Sequence, residues 1–83
     1  MDVEAVVRKF LTTELGRDVS RVGLDDSMLE SGTIDSVGVM QLVAFLGKTY
    51  GITVEDDDLT PENFDTIGAI AAFVARRQAG ARG

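Results

Sequence analysis

The 83-residue sequence contains no cysteine and no histidine. Without cysteine the chain can form neither a disulfide nor a thiolate nucleophile. Without histidine it lacks the usual ligands of a zinc site and the general base of a serine–histidine–aspartate triad. A chain of this length forms one small domain with a single core, too small to enclose a catalytic cleft. These absences exclude most enzyme mechanisms open to so short a protein.

Positive charge is scarce as well, since 14 Asp and Glu oppose eight Lys and Arg and give a formal net charge of −6. Such a surface repels phosphate backbones, so we expect no nucleic-acid partner and expect electrostatically steered partners to be basic. No apolar run approaches the roughly 20 residues that span a bilayer. The first residues, Met1–Glu4, lack the basic start of a signal peptide. We therefore expect a cytoplasmic location and no membrane partner, and we expect a monomer.

Apolar residues at helical spacing predict the first two helices. Helix one is predicted from about Asp2 to Leu15 and ends at Gly16, which can adopt a left-handed conformation. Helix two is predicted from Ser36 to about Tyr50. The apolar stripes of these helices consist of Val3, Val6, Val7, Phe10, Leu11 and Leu15, and of Val39, Leu42, Val43, Leu46 and Tyr50.

A short helix three is predicted at residues 61–64, where Thr60 supplies a capping side chain and Pro61 stands at the first helical position. Asp65 or Thr66 then caps helix four, whose apolar residues again follow helical spacing. The sequence thus predicts an all-α, four-helix bundle with three longer helices and one short one. We place this domain at residues 1–78. Residues 79–83 have nothing apolar to bury and are predicted to form a disordered tail.

The long first loop, residues 16–34, shows no sustained apolar period and exceeds the usual length of a structureless connection. We expect its apolar side chains to enter the core, with a turn over residues 25–27. The predicted anchors are Val19, Val22, Leu24, Met28 and Leu29.

A serine hydroxyl is predicted at the start of helix two. Asp35 is a good N-cap because its carboxylate can accept a hydrogen bond from an unpaired backbone N–H, which makes Ser36 the first helical residue. Ile34 and Val39 have the spacing of a hydrophobic staple around this cap. A phosphate joined to Ser36 would lie near the positive end of the helix dipole. Such Asp-Ser pairs open many helices, so the pair alone does not indicate a function.

The acidic run Glu55–Asp58 indicates a solvated loop. Read as a calcium loop starting at Asp56, the segment puts Pro61 where glycine is required and Ile67 where a bidentate glutamate is required. This excludes an EF-hand, and we expect no metal site. Paired acids such as Asp56 and Asp58 leave a small enzyme as an alternative, but no tuned base or ligand set accompanies them. We therefore assign no catalytic residue.

Taken together, the segments Ser27–Val37 and Leu59–Ile67 resemble those of acyl, peptidyl and D-alanyl carrier proteins, and the resemblance extends over nearly the full chain. In that family the serine of an Asp-Ser-Leu motif carries 4′-phosphopantetheine. The matching residue is Ser36, and Val37 replaces the usual leucine. The resemblance implies the same long first loop and a non-catalytic carrier that holds intermediates as thioesters. It further implies that Asp35 assists recognition by a phosphopantetheinyl transferase, with an activating enzyme or acyltransferase and downstream condensing or tailoring enzymes as later partners.

The outer face of predicted helix two carries no Asp or Glu. Fatty-acid carriers of the family usually present acids there, so we expect partners to bind this face through apolar and hydrogen-bonding contacts of Val37, Met40, Gln41 and Ala44. The neutral face favours polyketide or nonribosomal-peptide-type biosynthesis, while fatty-acid synthesis and D-alanyl transfer stay open. In the remaining alternative the chain is an unmodified helical interaction module, and Ser36 only takes part in the cap.

Overall fold

A computed structural model describes residues 3–82, with side chains described as far as Gln78. The helices are α1 (Val3–Thr13), α2 (Ser36–Tyr50), α3 (Pro61–Phe64) and α4 (Ile67–Arg82), and a 3-10 turn at Asp56–Asp58 lies between α2 and α3. No strand is present among residues 3–82. The predicted all-α bundle, with three longer helices, a short third one and a long first loop, is therefore confirmed. Within the same residues no helix has the length and apolar character needed to cross a membrane.

The core is built around α4, which contacts the other three helices. Both predicted stripes contribute to it, and no polar or charged side chain is buried among residues 3–78. Phe64 of α3 and Phe73 of α4 lie with ring centroids 5.2 Å apart and ring planes tilted by 57°. This aromatic pair joins the short helix to the longest one. The buried side chains are Val7, Phe10, Leu11, Val19, Met28, Ile34, Leu42, Leu46, Ile52, Phe64, Ile67, Ile70, Phe73 and Val74.

The first loop is held down by only part of the predicted anchor set. Leu24 and Leu29 were expected in the core, but their side chains are 45% and 36% exposed. Leu24 contributes its backbone instead, because its carbonyl accepts a hydrogen bond from the Gly68 N–H of α4 at 2.9 Å. The loop and α4 are so close here that a Cβ on residue 68 would stand 3.0 Å from that carbonyl oxygen. The anchors that do pack in or against the core are Val19, Val22 and Met28.

Glycines follow α1 and α2 as predicted, although α1 ends at Thr13 and not at about Leu15. Gly16 and Gly51 have φ angles of 65° and 64°, in the left-handed region that favours glycine. Thr66 caps α4, since its Oγ1 accepts a hydrogen bond from the Ala69 N–H at 3.0 Å. Thr60 occupies the predicted N-cap position of α3, but its side chain makes no capping hydrogen bond, so that part of the prediction is wrong.

The last helix extends further than the predicted domain boundary. The backbone of α4 is helical to Arg82, whereas the domain was predicted to end at residue 78. Alanine and arginine are good helix formers, which favours a helical backbone in this segment in spite of Gly80. Gly83 and the side chains from Ala79 onward lie outside the described residues, as does Asp2 at the predicted start of α1. The division into a domain at 1–78 and a tail at 79–83 stays a prediction.

Candidate functional site

The start of α2 has the predicted capped geometry. Asp35 has an extended backbone, and its Oδ1 accepts a hydrogen bond from the Gly38 N–H at 2.8 Å. Its carbonyl accepts the first helical hydrogen bond, from the Val39 N–H at 2.9 Å. Ile34 before the cap is buried, and Val39 packs against the same core. Because the backbone is fixed on both sides, Ser36 has a defined position as the first residue of the helix.

Ser36 is exposed and borders a surface cleft of about 260 Å³, which we call the Ser36 cleft. Three segments line this cleft: the first loop, α2, and the segment that leads into α3. Its lining is mainly apolar and consists of Leu29, Ser36, Val39, Met40, Leu59, Thr60 and Pro61. The hydroxyl of Ser36 therefore lies at the accessible, positive end of a 15-residue helix and beside an apolar surface.

Gly38 is a residue of the site that sequence reasoning missed. It is buried, and a Cβ at this position would stand 2.8 Å from Ile34 Cγ1 and 3.4 Å from Leu15 Cδ1. Ile34, the residue before the cap, thus lies so close to the backbone of α2 that a side chain at position 38 would force it to shift, and Leu15, which follows α1, lies in contact distance. A glycine in the first turn of a strongly apolar helix was the available signal.

Replacing Gly38 by alanine is expected to destabilise the protein by about 1 to 3 kcal/mol, because the added methyl group overpacks the contact with Ile34. Alanine in an unhindered helix has the opposite effect, since it is the better helix former. The free energy of unfolding from urea titration, measured for both proteins, gives the sign of the change. A more stable Gly38→Ala protein would contradict the close packing described for this cap.

The four residues predicted to bind partners lie on the exposed side of α2. Val37 is 66% exposed and Met40 is 55% exposed, the two highest values among the large apolar side chains of the described residues. Gln41 and Ala44 are exposed as well. The structure thus brings these four side chains to the same helix as Ser36 and leaves them accessible.

Negative charge is concentrated outside α2. Residues 22–75 contain ten Asp and Glu but a single basic residue, Lys48, and none of the ten acids lies in α2. Glu30 and Glu62, which adjoin the cleft-lining Leu29 and Pro61 in sequence, are both exposed. A partner that approaches Ser36 would meet a helix without acidic residues in a region whose overall charge is strongly negative.

Asp58, one of the paired acids of the sequence, serves a local structural role. Asp58 Oδ2 accepts a hydrogen bond from the Glu55 N–H at 3.0 Å and closes a capping box around the 3-10 turn. Asp58 Oδ1 lies 2.6 Å from Arg77 Nη2 of α4. Among the described residues no group of three or more His, Cys, Asp and Glu side chains is arranged to hold a metal ion.

The fold and the site define a small carrier-type domain, in which a helical bundle carries an exposed serine at the capped start of α2. Residues 5–74 match the sequence model of a family described as "Phosphopantetheine attachment site". The chain therefore belongs to the acyl and peptidyl carrier protein family, as its sequence motifs predicted. The cofactor of that family is covalently attached 4′-phosphopantetheine.

Similar proteins come from several branches of this family. The acyl carrier protein of Exiguobacterium sibiricum is 34% identical, over 82% of this chain and 84% of its own length. The D-alanyl carrier protein 2 of Lactiplantibacillus plantarum is 34% identical, over 93% and 95% of the two chains. A segment of malformin synthetase mlfA of Aspergillus brasiliensis is 40% identical over 64% of this chain, which corresponds to 1% of the synthetase.

A solved structure described as a crystal structure of FAD-dependent dehydrogenase has a similar chain fold, with a TM-score of 0.69 and 23% identity. The match covers 82% of this chain and 97% of the other. At this level of identity the likeness shows the fold alone.

Proposed function

We propose that this chain is a carrier protein in which Ser36 Oγ is the attachment point of 4′-phosphopantetheine, and that it tethers pathway intermediates as thioesters. The observation that carries this proposal is the exposed Ser36 at the capped N-terminus of α2, within a domain of the phosphopantetheine attachment family. Carriers of this family are non-catalytic tethers, which supports the same role here.

The residues of the site fit this modification. Ser36 Oγ would form an O–P bond as the pyrophosphate bond of coenzyme A breaks, releasing the adenosine bisphosphate half, while the hydroxyl proton passes to the transferase. The unpaired N–H groups at the start of α2 favour the negative charge of the resulting phosphodiester, typically by about 0.3 to 1 kcal/mol at an exposed site. Asp35 keeps this helix end in place through its hydrogen bond to Gly38 and is proposed to help the transferase recognise it. Once attached, the group supplies a thiol on a flexible tether, which the cysteine-free chain lacks.

The outer face of α2 is the proposed docking surface for enzymes that act on Ser36. Val37, Met40, Gln41 and Ala44 are exposed beside it. The proposed partners are a phosphopantetheinyl transferase, an activating enzyme or acyltransferase, and later condensing or tailoring enzymes. Each contact should be weak, because the tether already raises the effective concentration of the cargo at successive active sites.

A double variant, Val37→Asp with Met40→Glu, tests this surface. It places two negative charges on the neutral face, and we expect the specificity constant of the cognate loading enzyme for the carrier to fall by about tenfold or more through desolvation of these charges at the interface. The constant is measured from the rate of cargo transfer at a series of carrier concentrations.

A single variant, Thr12→Glu, provides the control for added negative charge. Thr12 is exposed on α1 and lies on a surface shared with Arg8, Lys9 and Val19, away from the residues that line the Ser36 cleft. Thr12→Glu should load within about twofold of the unsubstituted protein. Unchanged loading of the double variant would rule out apolar docking on α2.

For the pathway we propose polyketide or nonribosomal-peptide-type biosynthesis, on the basis of the α2 face that lacks acids and the similarity to a segment of malformin synthetase. D-alanyl transfer is the second candidate, favoured by the match to a D-alanyl carrier over 93% of this chain. Incubation of pantetheinylated protein with a panel of amino-acid-activating and acyl-transferring enzymes, followed by intact mass, distinguishes the cargo classes. Fatty-acid synthesis stays an alternative to both, and a cytoplasmic location stays a prediction.

A further inference from the structure

Asp65, the residue that follows α3, joins two distant parts of the chain. Its Oδ1 accepts hydrogen bonds from Ser27 Oγ at 2.8 Å and from the Leu29 N–H at 2.9 Å. Its backbone carbonyl accepts a third, from the Met28 N–H at 2.9 Å. These bonds cross at least 36 positions of sequence, so they hold the end of the first loop against the junction between α3 and α4.

The hydrogen bonds at this junction hold one of the segments that line the Ser36 cleft. Leu29 lines the cleft from the first loop, and Pro61 lines it from the start of α3. The Met28 carbonyl also accepts a hydrogen bond from the Ile34 N–H at 3.2 Å, directly before the Asp35 cap. Asp65 thus fixes both the Leu29 side of the cleft and the segment that leads into α2.

The Leu59 side of the cleft, which is the segment before α3, is held independently of the Asp65 side chain. Asp58, which precedes the cleft-lining Leu59, pairs with Arg77 of α4 at 2.6 Å. The Asp58 carbonyl also accepts a hydrogen bond from Asn63 Nδ2 at 2.9 Å. Removal of the Asp65 carboxylate would therefore loosen the Leu29 side, where only the backbone bond from the Met28 N–H to the Asp65 carbonyl remains, and would leave the Leu59 side in place.

We propose that Asp65 is a positioning residue for the Ser36 site: it holds Leu29 and the loop before α2 in the arrangement that the transferase recognises when it modifies Ser36. This inference rests on the proposed attachment at Ser36. On this proposal the two hydrogen bonds of the Asp65 carboxylate do more than stabilise the fold: they also affect how the transferase recognises the site.

Asp18 offers a matched control on the same loop. Its Oδ1 also accepts two hydrogen bonds, from Ser20 Oγ at 2.7 Å and from the Ser20 N–H at 3.0 Å. These two bonds, with the hydroxyl contributing most, lower the pKa of Asp18 below its ordinary value. Asp18 borders the α1 surface and not the Ser36 cleft, so its loss removes the same number of hydrogen bonds, both of them local, without touching the site.

The test compares Asp65→Ala, Asp65→Asn and Asp18→Ala in full-length protein, with coenzyme A and a broad-specificity phosphopantetheinyl transferase. For Asp65→Ala we expect kcat/KM for the carrier to fall about tenfold, mainly through a higher KM, as suits the loss of two hydrogen bonds that shape a recognition surface. Asp65→Asn should stay within about twofold, because the amide oxygen can accept the same two bonds. Asp18→Ala should also stay within about twofold.

Amide hydrogen exchange gives a readout that does not depend on modification. In Asp65→Ala the exchange of the Leu29 N–H should accelerate by about tenfold or more. The Leu59 N–H, which bonds to the Asp56 carbonyl at 3.1 Å, should exchange as in the unsubstituted protein. Equal acceleration at both sites would mean that Asp65 acts through global stability, and it would overturn the proposal.

The proposal stays testable if Asp65→Ala fails to fold or if the unsubstituted protein is not modified. If circular dichroism shows that Asp65→Ala does not fold, Ser27→Ala removes one bond to the same carboxylate and should lower kcat/KM about threefold; an unchanged rate would overturn the proposal. Modification of folded Asp65→Ala at the rate of the unsubstituted protein would also overturn it. Failure of the unsubstituted protein to accept the group would instead refute attachment at Ser36, while hydrogen exchange still reports on Asp65.

Discussion

Replacement of Ser36 by alanine is expected to abolish modification by a phosphopantetheinyl transferase and to leave the fold intact. The substitution removes the hydroxyl that we propose as the acceptor. The side chain is exposed and alanine suits a helix, so the free energy of unfolding should change by no more than about 0.5 kcal/mol. Intact mass after incubation with coenzyme A, together with circular dichroism, measures both effects.

Ser20→Ala is the control for loss of an exposed serine. Ser20 lies on the first loop and bonds to Asp18, far in sequence from the α2 cap. This variant should gain one phosphopantetheine unit, as the unsubstituted protein does. A Ser36→Ala protein that is still modified would place the acceptor elsewhere, and one that loses its helicity would show that Ser36 is mainly structural.

Phe73→Ala is expected to have the largest effect on stability. Phe73 is 1% exposed, packs against the ring of Phe64 and has the Arg77 guanidinium 5.0 Å from its ring centroid. Truncation of a buried phenylalanine typically costs about 3 to 5 kcal/mol. Since whole domains are stable by only about 5 to 15 kcal/mol, a domain of this size should lose much of its resistance to urea.

Val37→Ala is the control at an exposed position, because the Val37 side chain is 66% exposed. The free energy of unfolding of this variant should differ from that of the unsubstituted protein by no more than about 0.5 kcal/mol. Urea titration followed by far-ultraviolet circular dichroism measures both variants. A Phe73→Ala protein as stable as Val37→Ala would mean that the pair of phenylalanines does not join α3 to α4.

Local signals were sufficient to predict the four helices and the Asp35 cap that precedes Ser36. Asp35 before an apolar helical stretch, and glycine after α1 and α2, act through interactions of a few neighbouring residues, so the sequence alone reveals them. The family followed from the same motifs, and the match over residues 5–74 confirms it.

The features that depend on distant contacts were not predicted. Leu24 and Leu29 are apolar residues in a loop, and sequence does not reveal that the backbone of one bonds to α4 while the side chain of the other borders a cleft. Asp65 was considered only as a helix cap, yet its side chain bonds to the first loop. Gly38 also shows its role only once Ile34 and Leu15 are placed against it.

Attachment at Ser36 can be tested by locating the modification on the unsubstituted protein. After incubation with coenzyme A, Mg²⁺ and a broad-specificity phosphopantetheinyl transferase, the intact protein should gain one phosphopantetheine unit, and fragment masses should assign it to Ser36. A protein that remains unmodified while a known carrier in the same reaction is converted, or a unit found on another residue, would contradict this account.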